Sequence, residues 1–414
     1  MRILFLTYHF PLPGEPGAAR PWVTASLLTE LGHEVTVITA GTHYMTGEDT
    51  RYLGSGLWSR EQVGDVRVVK TFAVLHHRRS LARRLANNLC YAALALPAGL
   101  AAGRSDVVLT ATDPPFILPV GYMLARAHRA RLVLDERDLY PDTAIALGYV
   151  RRRWIIRSME RWQAFFRKRS ARIIAATPGI CRLLVGKGVL AERISVFPNV
   201  PEILCPCNAP GWLAPRVGSE FRVVYVGKFG RANEFFTILE AAQKLMLRAP
   251  LVRFLLVGEG ERRRECMAFC LERKITNVKF LPPQPRASVP ELIRSSHVGI
   301  QAFDPNPFWE CALSTKIFDY LLNRRPVVFA GIGDTADLIR QSGGGIVVPP
   351  REAEAFADAI MTLYEDPDLC RKMGAEGDAF VRARFSRAEM TRRLSTALEE
   401  WPSPGPVCRA VSSD

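Results

Sequence analysis

Two runs of apolar strands alternating with helix-length segments, interrupted once, constrain the fold of this chain more than any other feature. In the first run, short apolar segments lie at 2–7, 34–40, 66–72, 106–111, 131–136, 172–177 and 194–199. In the second, they lie at 222–227, 252–258, 277–283, 297–303, 326–331 and 344–350. Unbroken apolar strands separated by helices are typical of parallel sheets covered on both faces. We therefore predict an α/β protein with two Rossmann-like domains.

The interruption is rich in Pro and Gly and has no periodicity, which is typical of a linker. The whole chain has 414 residues, which is too long for one compact core. The predicted parts are an N-terminal domain at 1–204, a linker at 205–219, a C-terminal domain at 220–380, a last helix at 381–402 and a disordered tail at 403–414.

A net charge of +14 predicts an anionic partner, such as nucleic acid, a phosphorylated small molecule or a membrane surface. Nucleic acid is not expected, because no helix-turn-helix, RNA-recognition or zinc-finger pattern accompanies the charge. The nine Cys lack metal-ligand spacing and are interpreted as reduced thiols. We find no signal peptide and no apolar run of the roughly 20 residues needed to cross a bilayer. These features predict a cytoplasmic protein.

Ligands of parallel α/β sheets bind at the carboxyl ends of the strands, so the loops there are candidate sites. The loop after the first strand contains Gly14, Gly17 and Ala18, which allow a close backbone approach. A helix expected to begin near Arg20 would direct its amides at an anion. The alternative is a tight turn without a ligand, since neither a dinucleotide fingerprint nor a Walker A lysine is present.

The stretch 135–148, which begins at the end of the segment 131–136, is unusually rich in charge. Its charged residues are Asp135, Glu136, Arg137, Asp138 and Asp142. So many charges at the carboxyl edge of a sheet indicate a site, although a solvated acidic loop is the alternative.

In the second domain, Lys228 and Arg231 follow the first strand and suit a diphosphate, with a surface charge pair as the alternative. A weaker signal is the glycine-rich turn at 258–260, formed by Gly258, Glu259 and Gly260. Lys316 and Asp319 share one face at the start of a helix that Ser314 or Thr315 opens. This pair is either a surface ion pair or one side of an anion site at the helix N-terminus.

Several segments together resemble one known family. They are GHEVTVIT, ERDLYPD, RFLLVGEG, NVKFLPPQP, ALSTKIFDYL and GGIVVPP, in the order and spacing of the family-4 retaining glycosyltransferases. Over about residues 1–400 the chain is most similar to the bacterial subgroup that builds O-antigen, capsule and exopolysaccharide units, the fucosamine and colanic-acid transferases. The resemblance implies the GT-B fold: two facing Rossmann-like domains, with parallel sheets and a C-terminal helix that crosses back to the N-terminal domain.

The resemblance also implies an activity. A hexosyltransferase of this family moves a sugar from a nucleotide-sugar, here a UDP-sugar, to a lipid-linked or glycan acceptor with retention of configuration. The C-terminal domain holds the donor and the N-terminal domain contacts the acceptor. No metal and no cofactor are expected, because helix N-termini and Lys or Arg stabilise the leaving diphosphate.

Roles carry over from the family by position. Asp319 matches the second acid of the Glu-x7-Glu motif, which binds the donor ribose, while Lys316 and Ser314 match phosphate-side positions. Lys228 matches the first phosphate-binding cation. The predicted catalytic residues are Lys228, Lys316, Asp319 and Arg137. The further donor-binding residues are Arg231, Gly258, Glu259, Gly260, Phe280, Leu281, Ser314 and Thr315, and those of the diphosphate and acceptor loop are Gly14, Gly17, Ala18, Arg20 and Asp138.

The chain departs from the family pattern at three positions. Cys311 stands in place of the first acid, Asn233 in place of a second Lys, with Arg231 as its substitute, and Arg137 in place of a sugar-contacting His. Two other functions stay open, the first because it shares the GT-B architecture and the second because of these departures. One is a GT-B-fold UDP-sugar 2-epimerase, and the other is a non-catalytic nucleotide-sugar-binding subunit of a polysaccharide assembly complex.

A second surface is predicted from two basic segments with apolar faces, 76–103 and 151–172. The latter has nine Lys and Arg against one Glu. Basic amphipathic helices lie flat on anionic membranes, which fits a protein peripheral to the inner face of the cytoplasmic membrane. The alternatives are that the apolar residues belong to the core and that the cations bind a soluble anionic acceptor.

Overall fold

The computed structural model of the protein describes residues 1–12, 15, 20–42, 56–73, 81–199 and 220–399. The chain divides into two compact units. Unit 1 comprises Met1–Glu202 and Arg387–Asp414, and unit 2 comprises Ile203–Ser386. Three predicted site residues, Gly14, Gly17 and Ala18, lie outside the described residues, as do the predicted linker, the predicted tail and residues 76–80.

Unit 1 is built on an eight-stranded sheet with the strand order β3-β4-β2-β1-β5-β6-β7-β8. The strands are β1 Arg2–Leu6, β2 Glu34–Ala40, β3 Trp58–Val63, β4 Val66–Thr71, β5 Val107–Ala111, β6 Arg131–Glu136, β7 Arg172–Ala175 and β8 Ile194–Val196. All neighbours pair in parallel except β3 and β4. Strand β3 is not among the predicted segments, because it is a polar edge strand without a buried apolar run.

The helices of unit 1 are α1 Arg20–Glu30, α2 Leu81–Ala101, α3 Leu118–His128, α4 Asp142–Ala146, α5 Arg153–Arg169, α6 Pro178–Gly186 and α14 Arg387–Glu399. Helix α2 packs on α3, and α3 packs on α5, so these three lie side by side. The connection through α1 runs across the sheet in the opposite direction to those through α3 and α5. Right-handed crossovers therefore place α1 on the other face, together with α14, which packs on it.

Helix α14 is part of unit 1 although it follows unit 2 in the chain. Arg387 Nε donates to Glu30 of α1 over 2.7 Å, and Arg172 Nη1 donates to the carbonyl of Thr396 over 3.0 Å. Met390 and Leu394 are buried in the unit. The predicted last helix at 381–402 thus comprises the end of a preceding helix and α14.

Unit 2 contains a six-stranded, entirely parallel sheet with the order β11-β10-β9-β12-β13-β14. Its strands are β9 Phe221–Val226, β10 Val252–Val257, β11 Val278–Leu281, β12 Val298–Ala302, β13 Val327–Ala330 and β14 Gly345–Val348. Its α-helices are α7 Phe235–Arg248, α8 Arg263–Glu272, α9 Val289–Arg294, α10 Thr315–Leu322, α11 Asp334–Ser342, α12 Ala353–Glu365 and α13 Pro367–Arg384. The predicted Rossmann-like organisation is confirmed in both units.

Candidate functional site

In unit 2, the loops after β9 and β10 touch each other through glycines. Gly258 has φ +141°, and a Cβ on it would lie 1.9 Å from the carbonyl oxygen of Gly227. A Cβ on Gly260 would lie 2.4 Å from the carbonyl oxygen of Phe229. The two loops are also joined by a hydrogen bond of 2.9 Å from Phe229 N to Glu259 O. The predicted glycine-rich turn is therefore required for close backbone packing.

Lys316, from the first turn of α10, lies directly on the backbone of Gly227. A Cβ on Gly227 would lie 2.0 Å from Cε of Lys316 and 3.1 Å from its Nζ. The ammonium is 5.8 Å from the centroid of the Tyr225 ring. Burial lowers the pKa of Lys316, and Asp319 opposes this shift. Because the exposed Lys228 directly follows Gly227, two cationic side chains flank one segment of backbone at the carboxyl end of β9.

The carboxylate of Asp319 lies one turn further along α10 and is half-buried. Burial raises the pKa of Asp319 to about 6, although Arg286 and Lys316 both oppose the rise. Within the described part of the chain, this carboxylate forms neither a hydrogen bond nor a salt bridge, and Lys316 forms no salt bridge. Lys316 and Asp319 therefore do not form the surface ion pair that their spacing would allow. Both side chains can bind a ligand.

Two tyrosines that the sequence pattern does not single out hold these elements in place. Val226 N donates to Tyr320 Oη over 3.0 Å, which ties α10 to the end of β9. Tyr225 Oη donates to the carbonyl of Lys228 over 2.7 Å, which fixes the loop that carries this lysine. Both tyrosines lie within apolar stretches, so their spacing indicates only burial.

Ser314 precedes α10, and the phosphate-side role predicted for it does not match the position of its hydroxyl. The residue is buried, and its Oγ donates to Gln301 Oε1 over 2.6 Å. Its backbone N–H also has an internal partner, Thr335 Oγ1, at 3.1 Å. The neighbouring Thr315 is exposed. The polar groups of Ser314 thus serve the fold of unit 2.

The other donor-binding residues predicted in unit 2 have mixed surroundings. Arg231 Nε lies 3.1 Å from a carboxylate oxygen of Glu261 with both side chains exposed, which matches the surface-pair alternative. Glu259 Oε1 accepts from the N–H of Gly260 at 3.1 Å. Phe280 is half-buried with its ring 6.1 Å from that of Phe229. The carbonyl of Leu281 accepts from Gly258 N at 3.1 Å.

Cys311, which stands where the resemblance predicts the first acid, is a buried thiol at the end of a short 3-10 helix, Pro307–Cys311. Glu310 beside it is half-buried, and its backbone packs against Gly333, where a Cβ would lie 2.0 Å from the Glu310 carbonyl oxygen.

In unit 1, most of the charges at the end of β6 and directly after it form buried ion pairs. Arg20 Nη2 lies 2.6 Å from Asp135 Oδ1, and Arg137 Nε lies 2.7 Å from Asp135 Oδ2. Arg20 also donates to the carbonyl of Phe197 over 2.5 Å. Burial alone would raise the pKa of Asp135, but the two guanidinium groups lower it to about 2. The guanidinium of Arg20 is thus bonded to protein groups and does not point out of the loop toward a substrate anion.

The next carboxylate, Glu136, is also buried, and its Oε1 accepts from Arg167 Nε at 2.8 Å. Thr112 Oγ1 donates to the other oxygen over 3.1 Å. Asp142 pairs with Lys187 at 3.0 Å, while Asp138 is exposed. The alternative of a solvated acidic loop is therefore wrong for Asp135 and Glu136, which are structural.

Comparison with known proteins decides the family. A family model described as "Glycosyl transferase 4-like domain" matches residues 18–200, and one described as "Glycosyl transferases group 1" matches residues 220–366. Together they span most of the chain. The chain belongs to the glycosyltransferases.

This glycosyltransferase is 27% identical to the alpha-D-kanosaminyltransferase of Streptomyces kanamyceticus over 194 residues, 45% of this chain and 48% of that protein. The chain thus spans about half the length of the curated relatives it matches first. The structure of Anabaena HepE in complex with UDP and glucose superimposes with a TM-score of 0.68 at 18% identity, covering 96% of this chain and 99% of HepE. WaaG, a glycosyltransferase involved in lipopolysaccharide biosynthesis, gives 0.64 at 14% identity, with 96% and 100% covered.

These likenesses confirm the predicted GT-B fold for this glycosyltransferase. Among the described residues, no helix is long and apolar enough to span a membrane. In the same part of the chain, no group of three or more His, Cys, Asp or Glu is arranged to hold a metal ion.

Proposed function

We propose that this glycosyltransferase moves a hexosyl group from a UDP-sugar to a lipid-linked or glycan acceptor, with retention of configuration, in the synthesis of a cell-surface polysaccharide. The observation that carries the proposal is the arrangement around Gly227: Lys316 lies on its backbone, and Lys228 follows it. The Asp319 carboxylate, which has no hydrogen bond or salt bridge within the described residues, lies one turn along α10 from Lys316. The binding of UDP and glucose by HepE, and the involvement of WaaG in lipopolysaccharide synthesis, support the substrate class.

Each group has a chemical role in this proposal. The ammonium groups of Lys228 and Lys316 stabilise the charge that develops on the leaving diphosphate, so no metal is required. An ionised Asp319 accepts hydrogen bonds from two ribose hydroxyls. The bond between C1 of the sugar and the diphosphate oxygen breaks, and the acceptor oxygen bonds to C1 on the same face. The acceptor proton passes to a diphosphate oxygen.

Among the residues predicted in unit 1, Arg137 is proposed to contact the donor sugar through the part of its guanidinium not bonded to Asp135. Its Nη2 is buried and has no hydrogen-bond partner in the described structure. Arg137→Lys would keep the charge and lose the planar fork, so turnover should fall more than UDP affinity.

The experiment compares UDP binding and turnover in Lys316→Ala and Asp319→Asn with Lys244→Ala. Lys244 is the matched control, because it is a surface lysine of unit 2 paired with Glu354 at 2.6 Å. We expect each site variant to weaken UDP binding about tenfold, or about 1.4 kcal/mol, and to abolish slow hydrolysis of UDP-sugars without acceptor. EDTA should leave wild-type turnover unchanged.

The other outcomes identify the competing functions. Release of a 2-epimeric sugar without any acceptor would indicate the epimerase, and UDP binding without turnover on any acceptor would indicate a binding subunit. Metal-dependent turnover, or site variants as active as Lys244→Ala, would refute the proposal.

The acceptor is proposed to be reached at an anionic membrane, through the outer surface of α2, α3 and α5. On α5, Trp154 is 67% exposed, and Trp162 and Phe165 are also exposed. The exposed cations Arg157 and Arg161 lie on the same helix. Aromatic and cationic side chains together favour the interface of an anionic bilayer.

The neighbouring helices extend this surface. Tyr122 of α3 has its ring 6.1 Å from that of Phe165, and the next residue, Met123, is exposed. On α2, Leu85 and Leu89 are exposed at a spacing of four residues and share one side of the helix. The alternative that the apolar residues are core residues holds for Phe166, which is buried, but not for these side chains.

Flotation with liposomes tests this surface. The double variant Trp154→Ala/Trp162→Ala should bind vesicles containing phosphatidylglycerol several-fold less than wild type, and added salt should weaken wild-type binding. Leu247→Ala is the control, because Leu247 is 89% exposed on α7 of unit 2. Equal binding of all three proteins, or equal binding to neutral and anionic vesicles, would exclude the proposed membrane surface.

A further inference from the structure

We propose that Gln301 is a positioning residue that sets the loop of Lys228 and the start of α10 relative to each other. The inference rests on the proposed role of Lys228 and Lys316 in binding the diphosphate. Gln301 lies near the end of β12 and is only 1% exposed, so it cannot contact a substrate itself.

Both ends of the Gln301 amide are hydrogen-bonded to residues at the edge of the site. Its Nε2 donates to Asn233 Oδ1 over 3.1 Å, and its Oε1 accepts from Ser314 Oγ at 2.6 Å. Asn233 Nδ2 in turn donates to the carbonyl of Lys228 over 3.4 Å. The hydrogen-bonded side chains of Asn233, Gln301 and Ser314 therefore connect the two elements that carry the candidate lysines. One end is the carbonyl of Lys228, and the other is Ser314, two residues before Lys316.

The loop at the Asn233 end is held by further contacts. Arg262 Nη1 donates to the carbonyl of Asn233 over 3.0 Å, and Glu234 N donates to the carbonyl of Ala302, the last residue of β12, over 3.0 Å. The resemblance predicts a second phosphate-binding Lys at position 233. The Asn found there is buried, and its side-chain amide donates to the carbonyl of Lys228 instead of supplying a positive charge.

Stability alone does not account for an amide at this place. The rest of β12 is apolar or Gly, and a buried amide is costly unless each of its groups is hydrogen-bonded. An apolar side chain would fill β12 without that cost. An amide that is hydrogen-bonded at both ends, however, fixes the distance and direction between the two loops that it joins, which the proposed diphosphate site requires.

The test measures the dissociation constant of UDP by calorimetry, together with the melting temperature. Gln301→Met keeps the volume and removes both hydrogen bonds, and we expect it to weaken UDP binding about tenfold. Asn277→Ala is the matched control. Asn277 is a buried amide of the same unit that donates to Ala242 O over 2.8 Å at the amino end of β11. It should lower the melting temperature as Gln301→Met does, but leave UDP binding unchanged.

A double-mutant cycle separates positioning from general destabilisation. In a Lys228→Ala background, Gln301→Met should weaken UDP binding less than threefold further, because the relative position of the two lysines no longer matters once one of them is gone. If Gln301→Met does not fold, Ser314→Ala interrupts the same chain with a smaller change and should give the same pattern.

The outcomes distinguish the two proposals. Wild-type UDP affinity in Gln301→Met or Ser314→Ala, alongside weak binding in Lys228→Ala, overturns the positioning role only. Full additivity in the cycle also overturns it. Wild-type affinity in both Lys228→Ala and Lys316→Ala overturns the proposed function instead.

Discussion

Replacing Asp135 by Asn removes the one negative charge between two guanidinium groups, and we predict that it destabilises unit 1 by about 3–5 kcal/mol. Asp135 is 2% exposed and its partner Arg20 is 3% exposed, so water cannot replace the lost carboxylate. A folded-state pKa of about 2, against an ordinary value of 3.8, corresponds to about 2.5 kcal/mol of stabilisation at neutral pH. The remainder of the loss comes from leaving Arg20 buried without its counter-ion.

The pH dependence of this effect has a definite sign. Because folding lowers the pKa of Asp135, its contribution is complete above pH 5 and is lost as the pH falls toward 2. By pH 3, roughly 1 kcal/mol of it should be gone. The difference in unfolding free energy between wild type and Asp135→Asn should therefore narrow on acidification.

Urea denaturation followed by tryptophan fluorescence and circular dichroism, at pH 7 and pH 3, measures both effects. Glu34→Gln is the control in the same unit, because Glu34 pairs with Arg67 on the surface and should contribute less than about 0.5 kcal/mol. A loss below 1 kcal/mol in Asp135→Asn, or a difference that does not change with pH, would refute the assignment of Asp135 as a structural counter-ion.

Three further predictions concern other parts of the chain. Gly258→Ala should lower the melting temperature by several degrees and abolish UDP binding, because its Cβ would meet a carbonyl at 1.9 Å; Gly230→Ala, whose Cβ would lie 3.9 Å from its nearest neighbour, should do neither. UDP affinity should rise between pH 5 and 7 as Asp319 ionises with its pKa of about 6. Because the terminal phosphate of UDP also ionises at about pH 6, calorimetry on Asp319→Asn should show a smaller rise than on wild type, and an equal rise in both proteins would refute the role of Asp319. Arg387→Ala should speed hydrogen exchange in α14 but cost less than about 1 kcal/mol, since its partner Glu30 is also exposed.

Most strands could be predicted because strands buried on both faces need continuous apolar residues, and β1 and β6 fall within one residue of the predicted segments. Strand β3 could not be found this way, because one edge of it faces solvent and its residues are mainly polar. The available signal was the Gly64-Asp65 pair between Val63 and Val66, a composition typical of a two-residue hairpin turn.

Only part of the candidate site could be predicted from the sequence, because a residue pattern shows spacing along one helix but not contacts between distant residues. Helical spacing is enough to place Lys316 and Asp319 on one side of α10, but hydrogen-bond partners far apart in the chain are not visible in a pattern. Asp135 resembles a site residue until its partner Arg20, which is 115 residues away, is known. The signal for Gln301 was a single amide within an apolar strand, which indicates a buried partner without naming it.

Helix α14 has a consequence for how the protein is made. It supplies Met390 and Leu394 to the interior of unit 1, yet it is translated after the whole of residues 203–386. At roughly 5–20 residues per second, a ribosome needs on the order of 10 to 40 seconds to cover that interval. During this time the newly made α1 lacks the helix that packs on it, so the first part of the polypeptide to be synthesised is the last to be completed.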